Sequence, residues 1–181
     1  MKMTFRWYGN DDPVTLDKIR QIPCMTGVVT AVYSVPAGEV WPQEEIDKMK
    51  AEINAKGLEM EVIESVPVHE DIKLGRGNCE QYIENYKENI RRLAKAGVKC
   101  ICYNFMPVFD WTRTDLFHPV GDGSTALYYE ASRIHDDPKE MADYILNNLH
   151  GLTFPGWEPE RMAKLDELFE AYKPVTKEVL L

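Results

Sequence analysis

The chain has 181 residues, 44% hydrophobic and 28% charged, with a formal net charge of -9. That is enough chain to bury a sizeable core in one soluble domain, and the acidic balance excludes the clustered Lys and Arg that a nucleic-acid backbone demands. No apolar run nears the roughly 20 residues of a membrane span, and Arg6, Asp11 and Asp12 stand where a secretory leader needs its apolar core. The sequence therefore reads as cytoplasmic, with neither nucleic acid nor membrane among its partners.

A strand is predicted over "KMTFRWYG", residues 2–9, closed by Gly9. "DDPVTLDKIRQIP" follows as a helix, with Asp12 or Thr15 as N-cap, Leu16, Ile19 and Ile22 on one face, and Pro23 as its stop. The order then repeats. "GVVTAVYSVP" is a β-branched strand, and "WPQEEIDKMKAEINAKG" sets Ile46, Met49 and Ile53 at helical spacing before Gly57. "LEMEVIESVP" is the third strand. Asn78 with Gln81 offers a capping pair for the third helix, whose Ile83, Tyr86, Ile90 and Leu93 keep a three-four rhythm. "VKCICYNF" is the fourth strand. The Lys-bearing helix ends in "NAKGLEMEVIE" and "AKAGVKCICYN" add a faint internal repeat.

Beyond strand four the regularity lapses. Residues 106–160 carry five prolines, from Pro107 to Pro159, the turn "GDGS" and one helical run, "KEMADYILNNLHG", so they read as a partly structured insertion. "EPERMAKLDELFEAY" is a further helix. The final "VTKEVLL" starts another with Thr176 as N-cap and stops, so the sequence is expected to continue past Leu181. Cys24, Cys79, Cys100 and Cys102 are expected as buried free thiols, because a chain this rich in apolar residues needs no disulfide staples and a bridge between Cys100 and Cys102 along one strand would be strained.

Strands alternating with helices imply parallel crossovers, hence an α/β fold. An open doubly wound sheet gathers its site at one switch point; a barrel gathers it from many strand ends. Here polar or aromatic groups close every strand: Arg6, Trp7 and Tyr8, then Tyr33, then Glu64 and Ser65, then Tyr103 and Asn104. No glycine-rich phosphate loop follows any of them. The expectation is a parallel (β/α) barrel of TIM type, with residues 1–181 forming a single domain of about four βα units and an insertion over 106–160.

Two stretches carry candidate chemistry. "SVPVHEDIK" places His69 beyond strand three, suited to proton transfer and flanked by Glu70 and Asp71, either of which can orient it; the competing reading is a solvated loop histidine. "CYNFMPVFDWTRTDL" collects Asn104, Asp110, Trp111 and Arg113. Arg113 is the natural fork for a substrate carboxylate, Asn104 and Asp110 suit sugar hydroxyls, and Trp111 suits an apolar wall; alternatively Arg113 only pairs with Asp110 or Asp115 to order its loop. Arg6 is costly to bury unpaired and is expected to reach an acid or the site, with Trp7 beside it. His118, His135 and His150 lack metal-ligand spacing and read as surface residues.

"FRWYG", "GVVTAVY", "VIESVPVHEDIK", "CYNFMPVFDWTRTDL" and "DGSTAL" together, in order and across the whole chain, resemble the mannonate dehydratase family of hexuronate breakdown. The resemblance implies a xylose-isomerase-like barrel of which this chain is the N-terminal half. It also implies dehydration of D-mannonate to 2-keto-3-deoxy-D-gluconate with a divalent ion, usually manganese or iron, in the complete enzyme. Abstraction of a proton next to a carboxylate builds enediolate-like charge, which a metal and a cation can stabilise. The family's members are longer than this chain, and the His, Cys and Asp ligands the resemblance implies belong to later strands. This chain alone is therefore expected to bind no metal. Arg6, Trp7, His69, Asn104, Asp110, Trp111 and Arg113 are the expected substrate-binding residues, and the catalytic base is not assigned. A homo-oligomer, or pairing through exposed barrel edges, is expected. The alternatives are a non-catalytic sugar-acid binding or assembly module and a related metal-dependent sugar isomerase.

Overall fold

The computed structural model describes residues 1–105 and 113–148, together with Glu167, Leu168, Glu170 and Ala171, which are helical. Asp110, Trp111, His150 and most of the expected helix over 158–172 lie outside the described residues. The chain divides into two compact units, Met1–Phe105 and Met106–Leu181.

The first unit is a parallel four-stranded sheet with its helices: β1 (Met3–Arg6), α1 (Leu16–Arg20), β2 (Met25–Thr30), α2 (Gln43–Ala55), β3 (Glu59–Ile63), α3 (Glu70–Leu74), α4 (Cys79–Lys95) and β4 (Cys100–Ile101). The strands pair in chain order, β1-β2-β3-β4, all parallel, with no reversal that would open a switch-point crevice. One core joins sheet and helices. Val28, Met60 and Ile63 from the strands meet Leu16 and Ile19 of α1, Ile46 and Ile53 of α2, and Leu93 of α4. Ile19, Ile46 and Ile53 are fully inaccessible to solvent, each contributing about 1.5–3 kcal/mol of transfer free energy.

Local chemistry sets the element ends. Thr15 caps α1, its hydroxyl accepting the Lys18 N–H, while Asp12 accepts the N–H groups of Tyr8 and Val14 and so ties the β1–α1 turn together. α2 gives way to Gly57 at φ +71, as expected of a glycine just past a helix end. The expected Asn78–Gln81 capping pair does not form. The Asn78 side chain makes no cap bond; its backbone N–H donates to Asp71, and Gln81 turns along the helix to Asn85. The fourth strand is two residues long rather than eight, since it pairs only with the end of β3.

Glycine is required in the middle of β2. A Cβ at Gly27 would lie 2.5 Å from Cγ of Glu61 and 2.6 Å from the carbonyl oxygen of Glu59. The Glu61 side chain lies over that gap and pairs with Lys2, just before β1.

The second unit holds an antiparallel hairpin, β5 (Asp115–Pro119) with β6 (Thr125–Tyr128), a 3-10 turn at Ala131–Arg133, and α5 (Pro138–Asn147), capped by Asp137 accepting the N–H groups of Lys139 and Glu140. Thr114 is buried where the hairpin begins. Its hydroxyl donates to the Tyr128 carbonyl and accepts the Glu130 N–H, and its own carbonyl accepts the Tyr144 hydroxyl from α5. Met141 and Ile145 of α5 form this unit's small apolar cluster, with Leu116 and Ile134 against it.

The four thiols are free, but none is buried. Cys24 and Cys100 are exposed and Cys79 and Cys102 half-buried, because Cys24 falls in a turn, Cys100 on an edge strand and Cys102 just past it.

Candidate functional site

Backbone pairing continues past the strand ends and brings four of them together. Trp7 donates to Val29, Glu64 to Thr30, and Cys102 to Ile63, at 2.9, 2.9 and 2.8 Å. Arg6, the last residue of β1, sits at this rim. Its Nη1 meets Oε2 of Glu64, just past β3, at 3.0 Å, and its Cζ lies 4.8 Å from the centroid of the Tyr8 ring. Tyr33, past β2, stands with its ring 6.3 Å from that of Tyr8. The Arg6 side chain is 28% exposed and that of Glu64 49%, yet Nε of Arg6 is buried with no hydrogen-bond partner among the described residues. The Glu64–Ser65 peptide is cis.

The Arg6 guanidinium also acts on the groups at the neighbouring strand ends. Burial pushes the Tyr33 phenol above the ordinary tyrosine range against the lowering pull of Arg6. Burial also raises the Cys102 thiol, with the Cys100 thiol and the Glu64 carboxylate adding to the effect and Arg6 opposing it. A fixed cation, a neutral phenol, a carboxylate and aromatic faces make up a set suited to a polyhydroxy acid: the cation for an anionic end, the polar groups for hydroxyls, the rings for C–H faces.

The expected site residues fall in different places. Arg6 does reach an acid. Trp7 is 3% exposed and packs in the core. His69 is half-buried and caps α3: its Nδ1 accepts the Asp71 N–H at 3.1 Å, which leaves the proton on Nε2, and its ring lies 3.9 Å from that of Tyr82. Asp71 thus meets the imidazole through its backbone, while its carboxylate accepts the Asn78 N–H. Asn104 is half-buried just past β4. Arg113 is half-buried in the second unit, at the start of its hairpin. His118 is also half-buried, stacked on Tyr128 at 3.9 Å and 3.7 Å from Asp115, whereas His135 is exposed.

A model of the D-mannonate dehydratase (UxuA) family matches residues 1–181. The chain belongs to that family. It is 57% identical to a mannonate dehydratase of Geobacillus thermodenitrificans over 183 residues, 100% of this chain and 49% of the relative. It is 56% identical to mannonate dehydratase 1 of Bacillus licheniformis over 182 residues, 99% of this chain and 50% of that one. The crystal structure of mannonate dehydratase from Streptococcus suis serotype2 superposes with a TM-score of 0.73 at 48% identity, covering 98% of this chain and 51% of that one. The chain thus spans about half the length of the relatives it matches.

Within this family member, no group of three or more His, Cys, Asp or Glu side chains converges to hold a metal ion among the described residues. No described helix is long and apolar enough to cross a membrane. Tyr33, Glu64 and Cys102 join the rim although sequence reading did not select them as site residues. The available signal was positional: Tyr33 and Glu64 close their strands just as Arg6 closes its own.

Proposed function

We propose that this chain forms the N-terminal half of a (β/α)8 mannonate dehydratase barrel and supplies part of its sugar-acid pocket. The reaction is the hydro-lyase conversion of D-mannonate to 2-keto-3-deoxy-D-gluconate. The family match over residues 1–181 carries the proposal. Two features support it: the strands run in chain order without a switch point, and the Arg6 rim gathers groups from successive strand ends, as a barrel mouth does.

In this reading Arg6, His69 and Asn104 of the first unit contribute to the sugar-acid site, and residues 106–160 are an insertion after the fourth strand. The family's divalent ion, manganese or iron, has no seat among the described residues, so no step is assigned to it here. The enzyme works in the cytoplasm and as an oligomer. The test is an in-frame fusion of this chain to the part of the Geobacillus thermodenitrificans relative that the alignment leaves uncovered, assayed with Mn2+ for the keto-deoxy acid. D-mannonate-dependent product is expected. A folded fusion that dehydrates another aldonate but not D-mannonate would overturn the reading.

A further inference from the structure

We infer that Arg6 is the carboxylate anchor of this site, gripping the anionic end of the sugar acid through Nε and its neighbouring Nη while Nη1 stays on Glu64. The inference rests on the reading of the rim as a sugar-acid site and moves the carboxylate from Arg113, to which the sequence pointed, to Arg6.

A guanidinium carries five N–H donors in one plane and accepts nothing, so each donor facing the interior needs an acceptor. Among the described residues Nη1 is ion-paired with the half-exposed Glu64 carboxylate, and the Tyr33 phenol lies against the same guanidinium. Nε has been taken out of water and has no hydrogen-bond partner among the described residues. Native proteins rarely leave such a group, and where they do a function or a missing partner accounts for it. The donor left over matches the need: a carboxylate presents two oxygens to the parallel N–H groups of an arginine edge. Tyr8 lies against the guanidinium, with Cζ 4.8 Å from its ring centroid, and Glu64 draws Nη1 to the far side of the Nε edge. Tyr33 stands at the same guanidinium as a phenol, a donor for a hydroxyl of the same ligand. Both Tyr33 and Glu64 are about half exposed, so the groups beside the arginine edge can turn outward to admit a ligand.

The experiment is a calorimetric titration of the 181-residue chain with D-mannonate, D-gluconate and uncharged D-mannitol. Both sugar acids should bind, with mannitol at least tenfold weaker. Arg6→Gln should weaken the acids at least tenfold. Arg6→Lys, which keeps the charge and loses the fork, should weaken them severalfold. Glu64→Gln, which removes a competing anion, should tighten them. If Arg6→Gln does not fold, the Arg6→Lys and Glu64→Gln pair decides alone. Sugar-acid binding indifferent to both, or no binding of either acid to the parent chain, overturns the inference and makes the ion pair purely structural. D-gluconate binding through Arg6 without D-mannonate binding leaves the anchor standing and removes the proposed substrate.

Discussion

Oδ1 of Asn89, midway along α4, accepts the backbone N–H of Trp41 at 2.7 Å, with the two residues 3% and 1% exposed. The same amide donates to the Glu39 carbonyl at 3.0 Å. One turn earlier Asn85 donates to the Gly38 carbonyl at 2.8 Å, and one turn later Arg92 donates to the Trp41 carbonyl at 2.9 Å. These three side chains lie on one face of α4 and hold the β2–α2 segment by its backbone, where no secondary structure satisfies those groups.

Asn89→Leu keeps the volume but leaves the Trp41 N–H and the Glu39 carbonyl unpaired in the interior. A loss of about 2–4 kcal/mol of stability is expected, read as a lower urea midpoint with the slope unchanged. A midpoint shift too small to resolve would mean that water or a neighbour replaces the amide.

Gly38 sits in the segment that stripe holds, at φ +88, and a Cβ there would come within 2.7 Å of the Tyr82 ring and 3.1 Å of the His69 ring. Gly38→Ala should therefore destabilise the chain by roughly 1–3 kcal/mol and displace the His69–Tyr82 contact. The histidine ring resonances report this; unchanged shifts would show that the turn absorbs the methyl group.

Burial raises the phenols of both Tyr33 and Tyr86. A group whose folded value lies above its unfolded value supports folding below the unfolded value and loses that contribution as pH rises. The window opens near pH 10, the ordinary tyrosine value. Stability should fall from there upward, with tyrosinate absorbance at 295 nm showing two late-titrating groups. Tyr33→Phe should remove one of them. Two late groups persisting in that variant would place the second phenol elsewhere.

Cys24 and Cys100 are exposed, whereas Cys102 is half-buried with its thiol raised by burial and by the neighbouring Cys100. Iodoacetamide near pH 8 should label Cys24 and Cys100 well before Cys102, since the thiolate is the attacking form. Timed peptide mapping gives the order. Equal rates at Cys24 and Cys102 would contradict the burial of the β4 end.

β1 and β4 are the sheet's two edges among the described residues, each with a neighbour on one side only. Tyr8, Tyr33, Tyr103 and Phe105 are exposed beyond the strands. The isolated chain should self-associate or bind hydrophobic dyes. A dye-silent monomer at all concentrations in light scattering would mean that the first unit is self-contained.

The four strands and the α1, α2 and α4 helices were legible because β-branched runs and the three-four spacing of Leu16, Ile19, Ile46 and Ile53 report burial directly. The hairpin was not. Pro119 and His118 break the alternation that marks a strand, and only the "GDGS" turn hinted at it. Short α3 escaped as well, because its cap is a histidine, outside the usual capping set. At the rim, Arg6 was legible as an arginine in need of an acid. Its partner depends on strand register, which places Glu64, just past β3, within reach across β2 and which no local pattern encodes. Trp7, one residue further along, turns to the core face, since one residue along a strand changes the face.

The gap at Gly27 makes β1 a strand fastened from two directions. Its backbone is laddered to β2, while Lys2 is tethered by a carboxylate reaching over β2 from β3. Hydrogen bonding alone would let an edge strand peel away with its one neighbour intact. With the tether in place, lifting the first strand must also release Glu61 from its bed across the second, so amide exchange along Met3–Arg6 becomes a reporter of the third strand. Filling the gap with a methyl group would uncouple the two.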